Sequence, residues 1–338
     1  MNARVSKLRH ESLEAVPYIS SERAELITEF YANDRTASPV LRRARAFKYL
    51  MENKTIYIGE SELIVGERGP APKATPTYPE LCCHSLHDLD LLHSREKIPF
   101  VCPPEVRKAY EDRIIPFWKG RTMRDFIFDE MTDDWKAAYE AGIFTEFMEQ
   151  RAPGHTVADD KIYCKGFRQL RQEIAASLAA LDYAGDPKAY AKSEQLRAMD
   201  MCAEAICIFA RRHAELARDM AVRAELDGDA DRACELRRIA EICSWAPENP
   251  PRDFWEALQA YWFVHLGVIT ELNTWDSFNP GRLDQHLYPF YKQGLAMGTL
   301  TQESARELLQ CFWIKFNNQP APPKVGVTAA ESGTYTDF

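Results

Sequence analysis

The sequence contains no GxGxxG, no P-loop, no GxSxG and no HExxH. Those absences remove the local signatures of dinucleotide binding, phosphate cradling, a hydrolase nucleophile and a zinc peptidase. No apolar run approaches the length of a bilayer span, and the opening MNARVSKLRHESLEAV lacks a signal-peptide core. The expected compartment is therefore the cytoplasm. Internal repeats and low-complexity tracts are also missing. Positive charge is in deficit: a net charge of −9 argues against nucleic acid and against an acidic membrane surface as partners. The nine cysteines (Cys82, Cys83, Cys102, Cys164, Cys202, Cys207, Cys234, Cys243 and Cys311) are odd in number and scattered. They read as free, mostly buried thiols in a reducing compartment rather than a disulfide framework.

What is present is enough for a large core. The 338 residues are 46% hydrophobic and 28% charged, the balance of an ordinary folded protein with room for two domains. The clearest basic cluster, Arg42, Arg43, Arg45 and Lys48, falls at helical spacing beside Leu41, Phe47 and Leu50, and reads as the solvated face of a helix. Residues 20–52 predict two helices separated by Asn33-Asp34-Arg35, and the β-branched runs of TIYIGESELIVGERG (55–69) predict a pair of short strands. A helix is expected from Thr132 to Gln150, stopped by RAPGHT. Leu170, Ile174, Leu178 and Leu181 form a helical stripe, and Asp227-Gly228-Asp229 breaks one long helix from the next. FWEALQAYWFVHLG (254–267) is too apolar all round to face water, and SARELLQCFWIKF (304–316) is a last helix capped by Thr301. Val325 and Val327 suggest a strand. The pattern is a helix-rich α/β assembly with a few short buried strands.

Four stretches could carry chemistry. CCHSLHDLDLLH (82–93) offers Cys82, Cys83, His84, His87, Asp88 and His93 as zinc ligands, but Leu86, Leu89, Leu91 and Leu92 favour a packing helix. In EFMEQRAPGHTV (146–157), His155 follows a helix C-terminus, whose partial negative charge favours a protonated imidazole and so a general acid; a structural hydrogen bond is the alternative. TELNTWDSFNPGRLDQHLYPFY (270–291) places Glu271, Asn273, Asp276, Asn279, Arg282, Asp284 and His286 after a buried element. Such a loop either lines a pocket or forms a capping network that starts the next helix at Asp284. The fourth is ESGTYTDF, which ends the sequence on Phe338 and reads as a packed interior rather than a tail.

Together these stretches resemble a family. ELIVGERG and TYPE, EFMEQRAPGHT, PGRLDQHLYPFY and KFNNQPAPPKVG are similar to the N-terminal half of glycyl radical enzymes of the pyruvate formate-lyase-like group. PTYPELCCH, FMEQRAPGHT and TELNTWDSFNPGRLDQH are particular to its hydroxyproline branch. The resemblance covers the chain from about residue 5 to Phe338 and implies one domain over residues 1–338, the front half of a ten-stranded β/α barrel. It implies radical dehydration of trans-4-hydroxy-L-proline to 1-pyrroline-5-carboxylate. No cofactor is bound in this part. A glycyl radical, installed by an iron–sulfur, S-adenosylmethionine-dependent activase, generates a thiyl that takes hydrogen from C5, and the complete enzyme is a homodimer.

Carried over by position, the resemblance makes His155 and Asp276 the pair that handles the hydroxyl and the ring nitrogen. Ser332 and the backbone near Phe338 hold the substrate carboxylate, Phe147 and Phe338 wall the ring, and Asp337 orders the loop. It assigns no metal role to residues 82–93. The departure from the family is the missing Gly-Cys-x-Glu motif and glycyl loop, since none of the nine cysteines follows a glycine. The expectation is a chain cut through its active site and inactive alone. The alternatives are a related radical enzyme acting on glycerol, propanediol or choline, a non-catalytic scaffold, and a metal-dependent hydrolase using the 82–93 cluster.

Overall fold

The computed structural model describes residues 2–143, 158–272, 279–321, 323–326, 329 and 330. Among them are fifteen α-helical segments. The first eight are α1 (Ala3–Glu14), α2 (Glu22–Asn33), α3 (Pro39–Asn53), α4 (Leu86–Ser94), α5 (Pro104–Ala109), α6 (Ile115–Trp118), α7 (Met123–Glu130) and α8 (Asp133–Glu140). There follow α9 (Lys161–Cys164), α10 (Phe167–Ala179), α11 (Ala189–Leu226), α12 (Ala230–Trp245), α13 (Phe254–Glu271), α14 (Leu283–Met297) and α15 (Gln302–Asn317). A π-helical turn, Tyr110–Ile114, joins α5 to α6. Two short strands, β1 (Tyr18–Ser20) and β2 (Ala74–Pro76), pair in parallel with Ile19 opposite Thr75, and Tyr18 also bridges Val101.

α13 sits at the centre. Its aromatic sequence is buried on nearly every face, as its composition predicts, and it packs on α9, α11, α12, α14 and α15. Gly267 permits the closest approach, since a Cβ there would lie 2.1 Å from Ile206 Cδ1 on α11. α11 runs for 38 residues against α3 and α12, and its buried Ala203, Ala205, Ala210, Ala214, Ala217 and Ala221 let the backbones come close. Asp227-Gly228-Asp229 ends it as expected, with Gly228 at φ +82° and the Asp229 side chain capping α12. Thr301 caps α15 in a reciprocal arrangement with Ser304.

Residues 55–69 correct the reading as two strands: no ladder forms there. The segment is buried at Ile58, Ile64 and Val65, so its β-branched character is real burial. Side chains replace the neighbouring strand. Gln259 accepts from Val65 N and donates to Val65 O, both at 2.9 Å. Trp262 Nε1 donates to Gly66 O at 2.9 Å, and Trp255 Nε1 to Leu63 O at 3.0 Å. Arg232 donates to the carbonyls of Glu62 and Gly59. Every polar backbone group must find a partner when buried, and here helices provide it.

Smaller corrections have equally local causes. The helix expected over Thr132–Gln150 stops at Glu140, where Gly142 takes a left-handed φ of +69° and Ile143 N donates back to Ala138 O at 3.0 Å. α14 begins at Leu283 with Arg282 at its N-cap, so Asp284 lies in its first turn. Val325 is not in a strand, and Val327 lies outside the described residues. The basic cluster on α3 is more than a solvated face. Arg42 and Arg45 pair with Asp34, Arg43 with Glu271 and Lys48 with Glu204.

Candidate active site

All six residues assigned to the site by the resemblance, Phe147, His155, Asp276, Ser332, Asp337 and Phe338, lie outside the described residues. The structure shows instead what anchors the chain on either side of them.

The last turn of α13, which ends at Glu271, is held by α2, by α3 and by the residues that follow β2. Buried Arg23 donates from Nε to Thr270 O at 2.7 Å and from Nη1 to Thr77 O at 3.1 Å. Its guanidinium also forms a bidentate pair with Glu80 at 2.6 and 3.1 Å and lies 4.0 Å over the ring of Tyr78. Tyr78 in turn donates its hydroxyl to Ile269 O. Glu271 pairs with Arg43, and burial holds its carboxyl above the usual range against the pull of Arg43 and Arg23.

The approach to residue 331 is fixed as firmly. Arg68 donates to Pro320 O, His84 Nε2 to Pro323 O at 3.1 Å, and Arg95 Nη1 to Ala329 O at 2.6 Å. A carbonyl only accepts, so His84 carries its proton on Nε2. Burial lowers its pKa and keeps it neutral. Asp88 serves two elements at once. One oxygen completes the capping box of α4 with Ser85, and the other accepts from Gly326 N at 3.0 Å.

These anchors connect to each other. Met123 N donates to Glu80 O at 3.1 Å and Arg124 N to Leu81 O at 2.9 Å, which docks α7 on the 76–84 stretch. Arg124 bonds to the hydroxyl of Tyr139, four residues before Ile143, and both side chains crowd Gly326. Gly326 has φ +65°, and a Cβ there would lie 2.7 Å from Arg124 Nη2 and 2.8 Å from Tyr139 Oη. Beyond the other gap, His286 Nε2 of α14 lies 3.6 Å from Asp159 Oδ1 and its ring meets the edge of Tyr163. The described ends of the three stretches that hold the expected site residues are thus tied to one another or to a shared buried network.

The zinc reading of residues 82–93 meets other uses of the same side chains. His84 and Asp88 bind backbone of residues 323–326, and His93 Nδ1 accepts from Cys102 N at 3.1 Å. All nine cysteines are free, and burial pushes the thiols of Cys83, Cys207 and Cys311 up to about 12. These three are packing groups, while Cys164 and Cys234 are exposed. A cavity of about 600 Å³ lies elsewhere, between α3, α10, α11 and α13. It is lined by Phe47, Leu170, Ile174, Ile206, Val264 and Val268 and reaches the network at Glu271.

Sequence reasoning singled out the stretches but missed Arg23, Tyr78, Glu80, Arg95 and Arg124. A buried arginine has no local signature. The one available signal was the position of Tyr78 and Glu80 inside PTYPELCCH, a stretch read only as a resemblance.

Comparison with known proteins gives this network a setting. The chain is 53% identical over 337 residues to the trans-4-hydroxy-L-proline dehydratase of Clostridioides difficile, covering 99% of this chain and 42% of that protein. The crystal structure of that organism's hydroxyproline dehydratase with trans-4-hydroxy-L-proline bound superposes with a TM-score of 0.94 at 52% identity, over 100% of this chain and 43% of the other. The glycerol-bound B12-independent glycerol dehydratase of Clostridium butyricum gives 0.91 at 29% identity, over 100% and 42% respectively. The chain therefore spans about two-fifths of the length of these relatives. The family model for pyruvate formate lyase-like proteins matches residues 1–338 from end to end, and the chain belongs to that family.

Proposed function

We propose that this chain forms the substrate-binding front part of a glycyl radical dehydratase that converts trans-4-hydroxy-L-proline to 1-pyrroline-5-carboxylate and water. The observation that carries this reading is the 0.94 superposition, at 52% identity, on a hydroxyproline dehydratase with that substrate bound. In the complete protein, residues 1–338 belong to one ten-stranded β/α barrel domain, to which the parallel pairing of β1 and β2 is suited.

The radical chemistry, removal of hydrogen from C5 and its return to the product, is supplied by a cysteine and a glycyl radical outside these residues, the latter installed by an S-adenosylmethionine-dependent iron–sulfur activase. This chain's residues do the remainder. His155 and Asp276 share the proton work: one of the pair delivers a proton to the C4 hydroxyl, so that the C4–O bond breaks and water leaves, and the other takes up the proton of the ring nitrogen as the C5=N bond forms. Ser332 and the backbone near Phe338 donate to the substrate carboxylate, Phe147 and Phe338 pack on the ring faces, and Asp337 orders the loop. The anchors at Arg23, Tyr78, His84, Asp88 and Arg95 support this assignment because catalytic loops need rigid footing. The working form is a cytoplasmic homodimer. No helix among the described residues is long and apolar enough to cross a membrane.

The test is anaerobic turnover by the enzyme encoded by the complete open reading frame, activated by its radical activase. Hydroxyproline consumption with trapping of the cyclic imine supports the reading. Turnover of glycerol, propanediol or choline in its place overturns it, and no turnover of any substrate favours a scaffold role.

A further inference from the structure

The cavity between α3, α10, α11 and α13 takes no part in the proposed reaction. Its volume, about 600 Å³, falls in the range of small-molecule pockets, which often lie between packed helices. Four helices wall it with apolar side chains: Phe47 from α3, Leu170 and Ile174 from α10, Ile206 from α11, and Val264 and Val268 from α13. Ala203 of α11 and Gly267 of α13 also line it, so bulk is missing from the wall at two positions. Met199, another lining residue, is 47% exposed, so solvent reaches the space. Apolar surface kept in contact with water favours an apolar occupant.

The polar lining is sparse and its charge has one sign. Two carboxylates, Glu173 and Glu271, line the cavity, and no lysine, arginine or histidine does. Glu173 is engaged by Lys165 and Gln169 on the outer face of α10. Glu271 is placed differently, at the last turn of α13, with a side chain that is 20% exposed. Its Oε1 accepts from Nε of Arg43, which does not line the cavity. Its Oε2 has no hydrogen-bond partner among the described residues. We propose that this cavity binds a small amphiphilic amine, its alkyl or arylalkyl body packed among Ile174, Ile206, Val264 and Val268 and its ammonium donating to Oε2 of Glu271. An ammonium answers both features of that end, since it carries positive charge and N–H donors. A quaternary ammonium offers no N–H, and a fatty acid meets two carboxylates of its own sign. The inference does not rest on the dehydration reading, because binding is read without turnover.

The experiment is calorimetric titration of the unactivated full-length protein with octylamine, and separately with octan-1-ol and octanoate, in wild type, Glu271→Gln and Leu170→Trp. Octylamine is expected to bind saturably, and the alcohol and the carboxylate at least tenfold more weakly. Glu271→Gln is expected to weaken octylamine at least tenfold and to leave octan-1-ol unchanged. That substitution also takes the carboxylate from Arg43 and can lower stability, so Leu170→Trp provides an independent variant. Leu170 is half-buried on α10, and an indole there fills the cavity while leaving the Arg43 pair intact, so binding of octylamine is expected to be lost. Site-resolved alkylation locates the ligand: octylamine should slow modification of Cys202, which lines the cavity, and not of Cys164 or Cys234, which do not. A wild type that fails to bind octylamine overturns the proposal. Equal binding of octan-1-ol, full binding by Leu170→Trp or unchanged alkylation of Cys202 overturns it as well. Hydroxyproline titrated into the same wild-type sample tests the dehydration reading separately. Octylamine binding without hydroxyproline binding removes that reading and supports this one, and the reverse result removes this one alone.

Discussion

Asp88 and Gly326 are joined by a hydrogen bond of 3.0 Å that makes the capping box of α4 an anchor for the backbone at residue 326. The same carboxylate stabilises a helix start and fixes a glycine at φ +65°, and Arg124 and Tyr139 leave that glycine no room for a side chain. The helix cap and the anchor of residue 326 are one structure.

Gly326→Ala is therefore expected to act locally. A left-handed alanine costs about 1–2 kcal/mol, and its Cβ would displace Arg124 or the hydroxyl of Tyr139. In the full-length enzyme KM for substrate should rise by an order of magnitude or more, while the melting temperature falls by only a few degrees. Steady-state kinetics beside a thermal melt checks this.

Arg23→Met is expected to be global. The guanidinium is buried and serves Glu80, Thr77 O and Thr270 O together, so its removal strands a carboxylate and two carbonyls. Breaking a buried pair from one side costs about 3–5 kcal/mol, which denaturant unfolding would read as a large drop in midpoint. An unchanged midpoint would mean that water reaches this cluster.

Gln259→Leu tests the replacement of a strand by side chains. Gln259 is 1% exposed and satisfies both polar groups of Val65. Leucine leaves both without a partner, at about 1–3 kcal/mol each. Amide exchange at Val65 should rise first, ahead of its neighbours.

Acid should destabilise the fold through two histidines. Burial lowers His213 and His265 to about 3, from an ordinary value of 6.5, so both are neutral in the folded protein at neutral pH. As pH falls below 6.5 the unfolded chain takes up protons that the folded one refuses until pH 3. Stability is thus fully present above that window and is lost progressively through it, at up to about 1.4 kcal/mol per pH unit for each histidine. Glu67 and Glu271, which burial raises, act in the opposite sense near their own titration. The comparison of wild type with His265→Phe, which keeps the stack on Trp262, isolates the histidine share. Equal pH slopes for the two proteins would show that His265 is accessible to protons.

Much of the helical frame was legible because its signals are local. Thr301 before a periodic run, Asp229 after Gly228 and the aromatic 254–267 stretch each state their own structure. Residues 55–69 misled for a physical reason: β-branched burial reports a buried extended chain, and whether a strand or a helix satisfies it depends on Gln259, Trp262 and Arg232 far away in sequence. The six site residues expected from the resemblance lie outside the described residues, and the contacts that anchor the chain beside them were not legible in the sequence. Nothing near Arg23 announces that it will meet Thr270, since that contact exists only once α13 is in place.

The most direct test of the account is calorimetric titration of the unactivated full-length enzyme with trans-4-hydroxy-L-proline and, in parallel, with glycerol. Binding precedes radical chemistry, so the pocket is read without the activase. The account predicts saturable binding of hydroxyproline, lost in Ser332→Ala, and none of glycerol at matched concentrations. Binding of glycerol with none of hydroxyproline would contradict it.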